Sequence, residues 1–231
     1  MEQPEMKKLA AERAVQSVED GMIVGLGTGS TAEFAIRKLG AMVKGGLHIQ
    51  AVPTSQKSKK LAGEFEIPLI ELDDTIEIDV TIDGADEVDS NLNLIKGGGG
   101  ALTREKIVAY HTKKVIIVVD ETKIVKRLGA DFPVPVEVTK FAWAATKKTL
   151  IELGCTAELR TIMDEKFITD NGNYIINCDF GPISQPEVLE KDINAIPGVV
   201  ENGLFINLTD LVIVGSRQGI MTLDQQISGA D

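Results

Sequence analysis

The feature that most restricts the fold is one unbroken apolar run, the "VIIVV" of "KKVIIVVD" at residues 113–120. A strand with one face in water alternates apolar and polar residues. Five branched aliphatics in succession need cover on both faces, which a parallel sheet between helices supplies. The chain on its N-terminal side agrees. Residues 5–19 set Leu9, Ala10, Ala14 and Val18 at helical spacing and stop at Asp20-Gly21. "MIVGLG" is a short strand running into glycines, and "STAEFAIRKLGAMV" a helix with Ser30 or Thr31 as its N-cap. "LHIQAVPTS" follows as a strand, "SQKSKKLAGEF" as a helix and "PLIEL" as an extended segment. "EIDVTIDGADEVD" is a strand entering an acidic turn, and "TREKIVAYHT" a helix. This alternation predicts an α/β core.

The pattern changes at "DFPVPVEV", whose two prolines suggest a crossing between units. "KFAWAATKKTLIELG" is a helix stopped by Gly154. "AELRTIM" and "NYIINCD" flank "TDNGN", a hairpin signal. "PEVLEKDINAIPG" is helical and "VVENGLFIN" extended, so this stretch predicts a small α+β unit. "LTDLVIVGSRQGIMTL" is apolar again and suited to return to the main sheet.

Charge narrows the ligand. The formal net charge is -11 and aromatics are 4% of 231 residues. Such a chain repels nucleic acid and anionic lipid and offers few stacking platforms, so a bound phosphate needs local donors. No apolar run approaches the ~20 residues of a membrane span, and the N-terminus lacks a secretory apolar core. Cys155 and Cys178 fit no metal or redox spacing and are expected to be buried thiols of a cytoplasmic protein.

Three loops carry the chemistry. "GLGTGSTA" lies between a strand and a helix. Its glycines admit a ligand close to the backbone, its amides face an anion at the helix start, and Thr28, Ser30 and Thr31 add hydroxyls. Ser30 stands where the dinucleotide fingerprint needs its third glycine, and no Gly-Lys-Ser/Thr follows, so a small phosphate fits better than a nucleotide. In "DGADEVD", Asp83 stands at a strand end where α/β proteins bind ligands. Gly84 permits a sharp turn that brings Asp83 and Asp86 to one cavity. The spacing fails the EF-hand pattern and no histidine is near, so no metal is expected. In "IKGGGGALTREK", four glycines bring backbone amides to a ligand, and Lys96 suits a developing oxyanion. Glu105, early in the next helix, suits a general base. Arg104 and Lys106 are expected to be solvated or structural. His48, mid-strand, and His111, at a helix end, are expected to be structural too.

In this order and spacing, "GLGTGSTA", "DGADEVD" and "KGGGGALTREK" resemble ribose-5-phosphate isomerases of the A type, as do "DETK" and "NAIPGVVENGLF". The resemblance runs over nearly the whole chain. One departure is the fourth glycine, Gly100, where some relatives have alanine. The resemblance implies a Rossmann-like catalytic domain, mostly parallel with helices on both faces, over 1–131 and 207–231. It implies a smaller α+β, ferredoxin-like domain over 132–206, and assembly as homodimers or homotetramers. It also implies metal-free and cofactor-free interconversion of ribose 5-phosphate and ribulose 5-phosphate, in the pentose phosphate pathway, through a cis-enediolate. By position, Gly27, Thr28, Gly29, Ser30 and Thr31 line the phosphate or substrate loop. Asp83, Gly84, Ala85 and Asp86, with Lys96, Gly97, Gly98 and Gly99, contact the sugar, and either Asp83 or Asp86 shuttles hydroxyl protons and helps open the furanose ring. Lys123 lies at the site, and Glu105 accepts the proton. Two rival functions use the same kind of scaffold. In a coenzyme A transferase Glu105 would be a nucleophile, and a sugar-phosphate sensor would bind without catalysis.

Overall fold

The computed structural model describes residues 1–224; the last seven residues of the expected return segment, 225–231, lie outside the described residues. In chain order the first half holds α1 (Gln3–Val15), β1 (Ile23–Leu26), α2 (Ser30–Lys44), β2 (Gln50–Pro53), α3 (Gln56–Glu64) and β3 (Ile78–Asp83). Then come β4 (Glu87–Val88), β5 (Leu94–Ile95), α4 (Leu102–Tyr110) and β6 (Thr112–Asp120). The second half holds β7 (Val134–Val138), α5 (Trp143–Glu152), β8 (Thr156–Leu159), β9 (Thr161–Ile162), β10 (Glu165–Lys166) and β11 (Tyr174–Asp179). It ends with α6 (Pro186–Asn194), β12 (Val199–Asn202), β13 (Leu204–Phe205), β14 (Leu211–Ser216) and β15 (Gly219–Asp224).

The main sheet has the order β15-β14-β6-β3-β1-β2. Its pairings are parallel except for the β14–β15 hairpin at one edge. The aliphatic run of β6 splits as its period of two requires. Ile116 and Val118 join Ala10, Ala14, Ile36 and Leu39 of α1 and α2 on one face. Val115, Ile117 and Val119 join Leu102 and Ala109 of α4 on the other. Burying both faces of β6 is what the unbroken run demanded.

A second sheet of four antiparallel strands has the order β12-β7-β11-β8. With α5 after β7 and α6 after β11, it is a split β-α-β unit of the ferredoxin-like kind. Its core includes Val134, Val136, Leu150, Ile176, Ile193 and both cysteines, which are unoxidised and buried. A three-stranded sheet, β13-β5-β4, completes the architecture.

Several local expectations need correction. "DFPVPVEV" is no mere crossing: β7 is an interior strand, buried along its length, despite Pro135 within it. β8 and β11 do pair, but the chain between them adds the small β9–β10 hairpin before the "TDNGN" turn. "PLIEL" contributes only an isolated bridge, Ala51 to Leu69. His48 precedes β2 and bonds Asp20 at the surface, so it is not mid-strand.

Candidate active site

Parallel strands present their C-terminal ends at one edge of the sheet, and the loops there form a common crevice. β1 delivers the Gly27–Thr31 loop to it, β3 delivers Asp83, and β6 delivers the turn that holds Lys123. β5 adds Lys96 and the glycine run, and the first turns of α4 add Glu105.

The loop after β1 is shaped by Asp83. A Cβ at Gly27 would stand 2.2 Å from Asp83 Oδ1, so only glycine lets these segments meet. Thr28 N donates to that oxygen at 3.0 Å, and Gly84 N at 2.7 Å. Asp83 Oδ2 lies 3.0 Å from Lys96 Nζ. Both carboxylate oxygens of Asp83 are therefore engaged by protein, and it is buried beneath the cavity rather than lining it. Asp86 differs. It is half-buried, lines the cavity, and accepts the Gly98 N–H at 2.7 Å.

Lys96 is 3% exposed and Glu105 4% exposed, with Nζ and Oε2 3.4 Å apart. Lys96 also donates to the Gly84 carbonyl and sits 5.4 Å from the centroid of the Phe205 ring. Burial works to lower the Lys96 pKa, but the carboxylates of Asp83 and Glu105 outweigh it, and the net shift is upward. Glu105 is pushed up to about 8, first by burial and then by the Asp83 charge, against the pull of Lys96. Its Oε2 is buried, with the Lys96 ammonium at 3.4 Å as its partner and no other donor among the described residues. A carboxyl group held by a single ammonium at the limit of hydrogen-bond reach, with a pKa near 8, is suited to take a proton from a substrate.

The cavity, about 140 Å³, is lined by Thr28, Gly29, Ser30, Thr31, Gly84, Ala85, Asp86, Lys96, Gly97, Gly98, Gly99, Glu105 and Lys123. Of the expected site residues, only Gly27 and Asp83 stand behind its wall. The lining also includes Lys7 of α1, which the sequence does not single out, and whose Nζ donates to Ser30 Oγ at 3.0 Å. Nothing local marks it: "MKKLA" looks like any solvated helix face. Lys7 and Lys123, the Ser30 and Thr31 hydroxyls and the start of the fifteen-residue α2 thus line the same cavity, whereas the Thr28 hydroxyl bonds Thr54 and Ser55. Asp86, Glu105 and Lys96 line it too.

The glycine run has a separate reason at each of three positions. Gly97 has φ +105°, which disfavours a side chain; a Cβ at Gly98 would stand 2.6 Å from Asp86 Oδ1; one at Gly100 would stand 2.4 Å from the Phe167 ring. An alanine at Gly100 therefore requires that ring to move. Lys106 is not solvated: it pairs with Glu201 at 2.7 Å and covers the Phe205 ring. Arg104 donates to Asn171 and to the Asp170 carbonyl. A larger groove, about 520 Å³ between β2, α3 and α4, contains none of the expected site residues. Among the described residues, no group of three or more His, Cys, Asp or Glu side chains is placed to hold a metal ion.

A Rossmann-like α/β chain whose small cavity combines cations, a helix start and a buried carboxylate–lysine pair has the build of an acid–base enzyme for small anions. The comparisons narrow that class. The model of the ribose 5-phosphate isomerase A (phosphoriboisomerase A) family matches residues 50–219. A ribose-5-phosphate isomerase A of Bacillus mycoides is 51% identical, over 93% of this chain and 97% of that protein. One of Pyrococcus horikoshii is 49% identical, over 96% and 98%. Among solved structures, a D-ribose-5-phosphate isomerase in complex with phospho-erythronic acid superposes with a TM-score of 0.94 at 48% identity, over 97% of this chain and 100% of that one. The enzyme of Methanocaldococcus jannaschii superposes with a TM-score of 0.91 at 46% identity, over 95% and 98%. The chain belongs to the ribose 5-phosphate isomerase A family.

Proposed function

We propose that the chain interconverts D-ribose 5-phosphate and D-ribulose 5-phosphate, with the phosphate at the Lys7–Ser30–Thr31–Lys123 end of the cavity and the carbonyl end of the open-chain sugar between Glu105 and Lys96. The observation that carries this reading is Glu105: a buried carboxyl facing the Lys96 ammonium at 3.4 Å, in the same cavity as Lys7, Ser30, Thr31 and Lys123. Glu105 removes the proton from C2 of the aldose, and the electron pair passes through C1 to its carbonyl oxygen. Lys96 and the amides of the glycine run stabilise that oxygen in the cis-enediolate. Asp86 carries the hydroxyl proton between O2 and O1, and Glu105 returns its proton to C1. Asp83, whose oxygens are already engaged, holds Lys96 and the Thr28 loop in place.

A coupled assay with ribose 5-phosphate, arabinose 5-phosphate, allose 6-phosphate and unphosphorylated ribose tests this. Conversion of ribose 5-phosphate is expected to dominate and to persist in excess chelator. No conversion of any aldose phosphate, or loss of activity that magnesium restores, would refute the reading. The phosphate end gives a second test: Lys7→Met is expected to raise KM for ribose 5-phosphate about tenfold or more and to leave turnover of free ribose unchanged. The pH profile gives a third. A base with a pKa near 8 must lose its proton to work, so kcat/KM is expected to rise about tenfold per pH unit below 8 and level off above it. A profile already flat from pH 6 upward contradicts a protonated Glu105.

The proposal extends to the setting. The pathway is the non-oxidative pentose phosphate pathway, in the cytoplasm, in a homodimer or homotetramer. Buried thiols and a net charge of -11 support a reducing compartment and no nucleic-acid partner. Among the described residues no helix is long and apolar enough to cross a membrane. The catalytic domain spans 1–131 and 207–231, and the smaller domain 132–206. The pairing of β14 with β6 supports the return of the C-terminal segment.

A further inference from the structure

One side chain of the ferredoxin-like unit reaches the glycine run. Arg160 follows β8, and its Nη1 donates to the Gly97 carbonyl at 2.8 Å and to the Gly98 carbonyl at 3.1 Å. The other edge of the guanidinium is held by Asn177 of β11: Nη2 and Nε donate to its Oδ1 at 2.6 and 3.2 Å. The guanidinium lies 5.8 Å from the centroid of the Phe167 ring, the ring that fills the space beside Gly100. The backbone is pinned as well, with Arg160 N donating to Ile175 O and Phe167 N to Arg160 O.

A trans peptide carries its N–H opposite its C=O. With the Gly97 carbonyl turned to Arg160, the Gly98 N–H is directed the other way, where Asp86 accepts it at 2.7 Å. With the Gly98 carbonyl turned to Arg160, the Gly99 N–H is likewise directed away from the guanidinium, and Gly99 lines the cavity. The Gly100 N–H closes a turn on the Gly97 carbonyl at 2.9 Å, but glycine peptides inside such a turn rotate at little cost, and the Gly98 carbonyl is held by Arg160. Donors stabilise a transition state only when their orientation is set beforehand.

We infer that Arg160 is a positioning residue for the isomerisation: it fixes two successive peptides of the glycine run, so that the Gly99 N–H faces the developing oxyanion and Asp86 stays within reach of the substrate hydroxyls. The inference rests on the isomerase reading. It makes the smaller sheet part of the catalytic apparatus, although neither Arg160 nor Asn177 touches the cavity. Lysine cannot replace Arg160, because one ammonium cannot grip both carbonyls while a rigid second edge is held by Asn177.

The test compares Arg160→Ala, Arg160→Lys and Asn177→Ala with the parent enzyme on ribose 5-phosphate. Arg160→Ala is expected to lower kcat about 30- to 100-fold with KM changed less than about threefold. The isotope effect from deuterium at C2 should be fully expressed on kcat, and millimolar guanidinium ion should restore part of the rate. Arg160→Lys and Asn177→Ala are expected to lose about three- to thirtyfold in kcat, and they carry the test if Arg160→Ala does not fold. A kcat within twofold of the parent in the folded variants, with only a lower Tm, would leave Arg160 a purely structural residue and overturn the inference. An inactive parent would instead sink the isomerase reading itself, so the two failures are distinct.

Discussion

Glu105→Gln is expected to lower kcat for ribose 5-phosphate about a thousandfold and, at pH 8, to make the protein more stable. The rate loss follows from removing the buried carboxyl group that lines the cavity beside Lys96; general-base steps contribute roughly a hundredfold to ten-thousandfold. The stability gain follows from linkage. Unfolded, a glutamate titrates at its ordinary 4.5; folded, Glu105 holds its proton up to about 8. A raised folded pKa contributes stability that is full below the unfolded value and is lost as pH rises through the folded one. The parent therefore weakens between about pH 5 and 8 on account of this residue. The glutamine variant, neutral throughout, does not. The difference is expected to be near zero at pH 5 and roughly 2–3 kcal/mol at pH 8, or about 5 °C or more in Tm. Every tenfold change in the ionisation constant between the folded and unfolded protein is worth about 1.36 kcal/mol, and part of the gain is offset by placing an amide, with its N–H donors, beside the Lys96 ammonium. Thermal unfolding of both proteins across that range measures it. Equal Tm at pH 8, or a turnover close to the parent's, would refute the assignment.

The same tension between folding and function explains what is legible in the sequence. The continuous apolar run of β6 announces a strand buried on both faces, because nothing else accommodates it in water. The loops at the strand ends are legible because they gather more glycine, hydroxyl and acid residues than an ordinary turn uses. Asp83 can be placed at a strand end, but whether it lines the cavity or stands behind it depends on a 2.2 Å clearance at Gly27 that no spacing reveals. Lys7 stays hidden because a helix pattern says which face is apolar, not which polar residue meets a distant loop; its partner Ser30 is 23 positions away. β7 reads as a crossing because proline normally argues against an interior strand. Here Pro135 contributes its carbonyl to the Gly203 N–H, and Val134, Val136 and Val138 fill the core. Arg160 is 62 residues from the Gly98 it holds and belongs to another sheet, so only the tertiary fold brings them together.

Lys96→Met is the second large effect, and its direction on stability is opposite. Lys96 is the cation that both Asp83 and Glu105 face, at 3.0 and 3.4 Å, in a place where water does not reach them. Methionine matches the length of the stem and sets a sulfur near the Phe205 ring in place of the ammonium's cation–π contact, so the change removes charge more than volume. Two carboxyl groups are then left buried without a counter-charge, and breaking a buried pair in this way costs about 3–5 kcal/mol. In the parent the pull of Lys96 lowers the Glu105 pKa, so its loss moves that ionisation above 8. The remaining activity, about a hundred- to a thousandfold lower in kcat, is therefore expected to have its rise displaced to more alkaline pH. The double variant Lys96→Met, Glu105→Gln provides the internal check. In Lys96→Met the folded protein must hold Glu105 protonated at pH 8 while the unfolded chain ionises it, a penalty the glutamine escapes, so the double variant should be more stable at pH 8 than Lys96→Met alone, a coupling measured by urea unfolding of the four proteins. If the single variants simply add, and the pH profile of Lys96→Met overlays that of the parent, Lys96 does not set the charge state of the base, and the oxyanion must be stabilised by other groups.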